Sequence, residues 1–141
     1  MVTYATTDAD FGKDISSWPS SVESDGIRTL GLPVSALTTI ETSFPLTRAA
    51  VANVLWLSPA TLARRRRAGL LKPAEADRLL RLARVLAHAL RVFEEPARVV
   101  RWLQGEVPAL GDRKPIELLD TDAGTSAVDA VLTRLEHGVV A

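Results

Sequence analysis

Apolar residues recur at helical spacing through most of the chain. Val34, Leu37 and Ile40 predict a helix over about residues 33–42, broken by Phe44 and Pro45. Val51, Val54 and Leu55 share one face of a second, short helix that Thr47 can cap, and Ala52 is small enough for a close helix crossing. Ser58 and Pro59, an N-cap residue and one pre-shaped for a first helical turn, open a third helix, which Gly69 ends. The longest stripe, Leu79, Leu82, Ala83, Leu86, Leu90 and Phe93, predicts a helix from Pro73 to about Phe93. Beside it Asp77, Arg81, Arg84, His88 and Arg91 alternate by four and three, a polar flank on which His88 reads as a surface or rim histidine. Ala97, Val99, Val100 and Leu103 define a short helix carrying Trp102 and closed by Gly105, and a helical turn follows over 116–119. Val128, Val131, Leu132 and Leu135 form the inner side of a last helix. Ser126 with Asp129 resembles its capping box, and Gly138 ends it. Residues 1–28 hold neither period and read as an irregular arm whose Tyr4, Phe11 and Trp18 can dock on the body.

The fold class is therefore all-α, which the richness in Ala, Leu, Val and Arg and an aromatic fraction of 5% also favour. The second and third helices, joined tightly through Trp56 and Leu57, have the layout of a helix-turn-helix. Two positions are atypical of one. Trp56 stands where such a turn usually has glycine, and its ring can fill the gap between the helices. Arg65 stands at a late core position of the third helix, where its stem can be buried while its head reaches water.

A formal net charge of zero conceals an asymmetry. Residues 1–44 carry 2 bases and 6 acids, residues 45–104 carry 12 and 4, and residues 105–141 carry 3 and 7. A basic middle suits a polyanion such as DNA. Its densest part is the run Arg64, Arg65, Arg66 and Arg67. Four successive residues fan around a helix, so only two or three can face one groove. Arg64 and Arg67, three apart, share a face lined by Ser58, Ala60 and Ala63, while Arg66 and Lys72 are placed for phosphate. The other use of these arginines is pairing with acids of a neighbouring subunit or partner.

With no cysteine there is no disulfide, thiolate nucleophile or cysteine-held metal, and a cytoplasmic protein is expected. No apolar run approaches the roughly 20 residues of a membrane span. His88 and His137 make no ligand pair, and the chain offers no phosphate-cradling glycine loop and no pairing of histidine with nucleophile. The expectation is therefore a protein that is not an enzyme and needs no cofactor. The tail Val139, Val140 and Ala141 is either a frayed end or a short insertion peptide.

Five stretches together resemble the Xre/MbcA/ParS-type antitoxins of RES-domain toxin-antitoxin pairs. They are SPATLARR at 58–65, LKPAEADRLLRLARV at 71–85, a loose AxxWL spread from Ala97 to Trp102 and Leu103, PALGDRKPIELLDTDAG at 108–124, and RLEHGVVA at 134–141. The resemblance covers about residues 32–141. The irregular arm over 1–28 lies outside it, and it implies an Xre-like helix-turn-helix region over 29–72 and a helical toxin-binding domain over 73–141. It further implies a homodimer or a higher complex with a cognate RES-domain toxin that consumes NAD or transfers ADP-ribose from it. The antitoxin covers the toxin's NAD cleft with its C-terminal segment and binds promoter DNA. On this chain the toxin-facing positions become Arg134, Glu136, His137, Gly138, Val139, Val140 and Ala141. The alternative is a stand-alone helix-turn-helix transcriptional regulator using the same basic helix.

Overall fold

The computed structural model describes residues 32–138. The N-terminal arm and the tail residues Val139, Val140 and Ala141 lie outside the described residues. Six α-helices, two short 3-10 turns and one two-residue strand pair follow in order: β1 (Leu32–Pro33), α1 (Ser35–Ser43), α2 (Arg48–Leu55), α3 (Pro59–Ala68), β2 (Leu70–Leu71), α4 (Pro73–Phe93), α5 (Pro96–Leu103), the turns Pro108–Leu110 and Pro115–Leu118, and α6 (Asp122–Glu136). None of these helices is long and apolar enough to cross a membrane.

The predicted capping chemistry holds in the first half. Thr47 accepts the Ala50 amide at 3.1 Å, and Ser58 accepts the Thr61 amide at 3.1 Å. Gly69, at φ 83°, ends α3 and donates its amide to the Arg65 carbonyl. The strand pair was invisible to periodicity because two residues hold no period. Leu32 opposes Leu71 and Pro33 opposes Leu70, antiparallel, so the chain entering α1 lies against the chain leaving α3.

α4 is the spine. Leu79, Leu82, Ala83, Val85, Leu86 and Ala89 are all buried, because α2, α5 and α6 all pack against this helix. One continuous core runs from Leu37, Ile40, Phe44 and Leu55 through α4 to Val99, Leu103, Val128 and Leu132.

Four sequence expectations change. Trp56 does adopt the left-handed conformation, at φ 59°, but its ring does not fill the interhelix gap; it lies 59% exposed. The Arg78 guanidinium of α4 sits 4.5 Å above that ring and also donates to the Leu55 carbonyl at 3.2 Å. A cation–π contact and a capped carbonyl thus offset the strain that a side chain meets at positive φ.

The last helix starts earlier than Ser126. Thr121 is its cap, accepting the Gly124 amide at 2.9 Å, which places Ser126 and Asp129 inside the helix. Gly124 permits this start. A Cβ there would collide with the Leu118 carbonyl, so the glycine allows α6 to lie directly against the preceding turn. His88, third, is 7% exposed rather than at the surface, because α6 covers the polar flank of α4.

The connection from α3 to α4 is held by one carboxylate. Glu75 Oε1 and Oε2 accept Arg65 Nε at 2.8 Å and Nη2 at 3.0 Å, and Oε1 also accepts the Lys72 amide at 2.9 Å. Arg65 therefore does not send its head to water. Burial alone would raise the pKa of Glu75, but the hydrogen bonds from Arg65 and the Lys72 amide, with the positive charges of both residues, hold it below the ordinary value of 4.5. A folded-state pKa below the unfolded one contributes stability above the unfolded value, and that contribution is lost as pH falls through the folded value. Glu75→Gln should lower the melting temperature at pH 7 by roughly 5–10 °C. The gap between wild type and variant, followed by circular dichroism, should close as pH is lowered below the ordinary glutamate value.

Candidate functional site

The arginine run is sorted by its helix. Leu62 is buried beneath α3, and Arg65 and Arg66 flank it at about 60° and 40° around the helix axis. Each of the two meets a carboxylate from another element. Arg65 binds Glu75 of α4, and Arg66 Nη2 binds Glu41 Oε2 of α1 at 2.6 Å, with both side chains of that second pair about four-fifths buried. Arg66 is thus not a free, phosphate-facing cation. Arg64 and Arg67 project from the opposite side together with Ala60, all three exposed. Arg64 Nη2 donates to Thr61 Oγ1 at 3.2 Å, whereas Arg67 and the exposed Lys72 make no side-chain ion pair among the described residues. Ala63 is half-buried at the edge of this face.

Ser58 stands at the N-terminal end of α3. Its hydroxyl is occupied locally, accepting the Thr61 amide and donating to Thr61 Oγ1 at 2.9 Å. The exposed surface of α3 therefore offers two long guanidinium arms over small alanines, with Lys72 just past the helix. This is a shape and charge suited to a phosphate-lined groove. Sequence reasoning placed Arg64 and Arg67 on one face, and both are exposed there, but it missed Glu41 and Glu75. A signal for Glu75 was present: it stands third in a helix opened by Pro73, where a carboxylate reaches back to the amide before the proline.

The second surface is the end of α6. Arg134, Glu136 and His137 are exposed in its final turn, and Gly138, at φ 76°, ends the helix; Val139, Val140 and Ala141 lie outside the described residues. Glu136 does not stand alone. Its Oε2 lies 3.3 Å from His88 Nε2 and 3.6 Å from Arg91 Nε. His88 Nδ1 meets Asp129 Oδ1 at 2.5 Å, so one buried imidazole bridges two carboxylates of α6. Further along the seam Arg81, with 13% of its side chain exposed, meets Asp122 at 2.8 Å and Asp77 at 3.3 Å. Those two carboxylates are largely exposed, and such pairs contribute little to stability. The Asp122 pair joins α4 to the start of α6, whereas the Asp77 pair lies within α4. Among the described residues no cluster of His, Asp and Glu is arranged to hold a metal ion.

Comparison with known proteins matches both halves. Residues 31–84 match the antitoxin Xre-like helix-turn-helix domain, and residues 88–138 match the antitoxin Xre/MbcA/ParS C-terminal toxin-binding domain. The two matches meet within α4. An antitoxin Xre from Yersinia enterocolitica is 30% identical over 112 residues, covering 78% of this chain and 76% of the relative. An antitoxin Xre from Photorhabdus laumondii is 33% identical over 67 residues, covering 47% of this chain and 45% of the relative. A protein named Prs ADP-ribosylating antitoxin, from a Sphingobium species, is 31% identical over 80 residues and half of each chain. With helix-turn-helix and toxin-binding regions matched in that order, and the Yersinia relative covered over most of its length, the chain belongs to the Xre family of antitoxins.

Proposed function

We propose that this antitoxin neutralises a cognate RES-domain toxin by laying α6 and the residues after it over the toxin's NAD cleft, and that it represses its own operon through α3. The toxin-binding match, which ends at residue 138 in the exposed last turn of α6, carries the first part. The Sphingobium relative's name connects that protein with ADP-ribose transfer, chemistry that starts from NAD. An NAD cleft must accept a flat apolar ring and an anionic pyrophosphate. Small apolar residues at 139–141 beside Glu136 offer matching fragments, so occupancy excludes the dinucleotide by competition. In this reading Arg134, Glu136, His137 and Gly138 lie against the toxin, with Val139, Val140 and Ala141 entering the cleft.

The operator-facing part rests on the sorting of the arginines. Arg64 and Arg67 read base edges over Ser58, Ala60 and Ala63, and Lys72 holds a phosphate, while Arg66 stays with Glu41. In this arrangement the protein body supplies register and two side chains supply specificity.

Two experiments follow. Deleting residues 138–141 should return NAD consumption close to the rate of the toxin alone, while complex affinity, measured by calorimetry, falls less than about tenfold. Unchanged inhibition by the truncated chain would refute cleft occupancy. In gel-shift titrations on the operon's promoter, Arg64→Ala and Arg67→Ala should each cost about 1–3 kcal/mol. Lys72→Ala should reduce the salt slope by about one and weaken every sequence alike. Arg66→Ala should chiefly lower the melting temperature.

A further inference from the structure

His88 is the one histidine of the described core, and nothing in the helix-turn-helix uses it. It lies on the outer half of α4, 7% exposed, beneath the last two turns of α6. Its ring nitrogens are divided between two carboxylates seven residues apart on that helix, Asp129 through Nδ1 and Glu136 through Nε2. Two points seven residues apart span about two helical turns, so the ring ties a length of α6 rather than a single site. Arg91, one turn along α4, adds a more exposed contact to the same Glu136 oxygen.

The partners differ in what they need. Asp129 and Glu136 keep 57% and 33% of their side chains exposed, so either finds water if the imidazole is removed. The imidazole, with 9% exposed, depends on them for hydrogen-bond partners. Burial along this stretch of α4 does not itself call for a histidine, since the buried residues next to it in the chain, Val85, Ala87 and Ala89, are apolar. The distinct property of this ring is two nitrogens aimed at two points of one helix.

We infer that His88 is a positioning residue for toxin recognition: through Glu136 it fixes the last turn of α6, and with it the place from which the chain beyond Gly138 departs. The last turn has few other restraints. Its backbone bonds, from the His137 amide to the Thr133 carbonyl and from Gly138 to Leu135, close an exposed helix end, and the buried anchors Val128, Val131 and Leu132 lie behind it. A helix end of this kind frays unless a side chain holds it. The inference rests on the toxin-facing reading of the α6 terminus.

The test uses the full chain and its complex with the cognate toxin. His88→Phe keeps the ring and removes both the Asp129 hydrogen bond and the Glu136 contact; His88→Gln keeps one donor nitrogen and serves as the conservative variant. Amide hydrogen exchange of the free chain is expected to rise at least tenfold at His137 and Gly138 in His88→Phe, with Val128 and Leu132 unchanged and His88→Gln in between. Toxin affinity is expected to fall about tenfold in His88→Phe, and that loss is expected to vanish in a Glu136→Ala background. Exchange rising evenly along α6 would show a general packing role and overturn the inference. Additive losses in the double variant would overturn it as well, since His88 would then not act through Glu136. If the exchange pattern appears but Glu136→Ala leaves toxin affinity unchanged, the toxin-facing reading fails and the recognition role falls with it. A His88→Phe chain that does not fold shifts the same exchange and affinity measurements, with the same criteria, to His88→Gln.

Discussion

Glu75 accepts the Arg65 guanidinium and the Lys72 amide on one buried carboxylate, so the end of α3, the link through β2 and the first turn of α4 are held at a single point. Glu41 does the same from α1 through Arg66. The two acids grip α3 on either side of Leu62 and fix its rotation about its own axis. Everything proposed for the basic surface depends on that rotation. A turn of one residue's worth, about 100°, would bury Arg64 or Arg67 and expose an arginine that now serves the fold. Four identical side chains in a row are thus divided into two that hold the fold and two that stay exposed, and the division is made by residues ten and twenty-five positions away.

The same economy appears on the far side of α4. The helix carries an apolar stripe for its core and a polar flank for α6, where Arg81 and His88 meet Asp122, Asp129 and Glu136. Val128, Val131 and Leu132 supply the burial that keeps α6 in place. The polar contacts add little energy, since the carboxylates are partly or largely exposed, but they choose one register of α6 on α4. Gly124 makes the close start of that helix possible. The result is a rigid base on which the exposed last turn is presented, joined through α4 to the helix-turn-helix. In the proposed account, one spine carries a DNA-facing helix near one end and a toxin-facing terminus near the other.

How much of this could be read from the chain follows from the range of the forces involved. Local chemistry was legible: Thr47 and Ser58 as caps, Pro73 to Phe93 as the long helix, and Gly69 and Gly138 as stops all depend on neighbours within a turn. The resemblance of five short stretches gave the family, since their order and gaps together are specific. Long-range pairing was not legible. Periodicity placed His88 on a polar flank but could not say that another helix covers that flank. Ser126 and Asp129 imitate a capping box, and only the close approach of Gly124 to Leu118 shows that Thr121 caps instead. Arg65 looked like a departure from a helix-turn-helix core because its partner, Glu75, belongs to a different helix.

The central claim is that the positions of Glu41 and Glu75 determine which arginines of α3 are held in ion pairs and which are left exposed. Solvent exchange of the arginine Nε protons, followed by nuclear magnetic resonance on the free chain, tests it most directly. The account predicts a slowly exchanging Nε–H on Arg65, which donates to Glu75 Oε1 at 2.8 Å, and rapid exchange on Arg64 and Arg67. The Arg65 signal should join the rapid set in Glu75→Gln. Equal exchange across Arg64, Arg65 and Arg67 in the wild-type chain would contradict it.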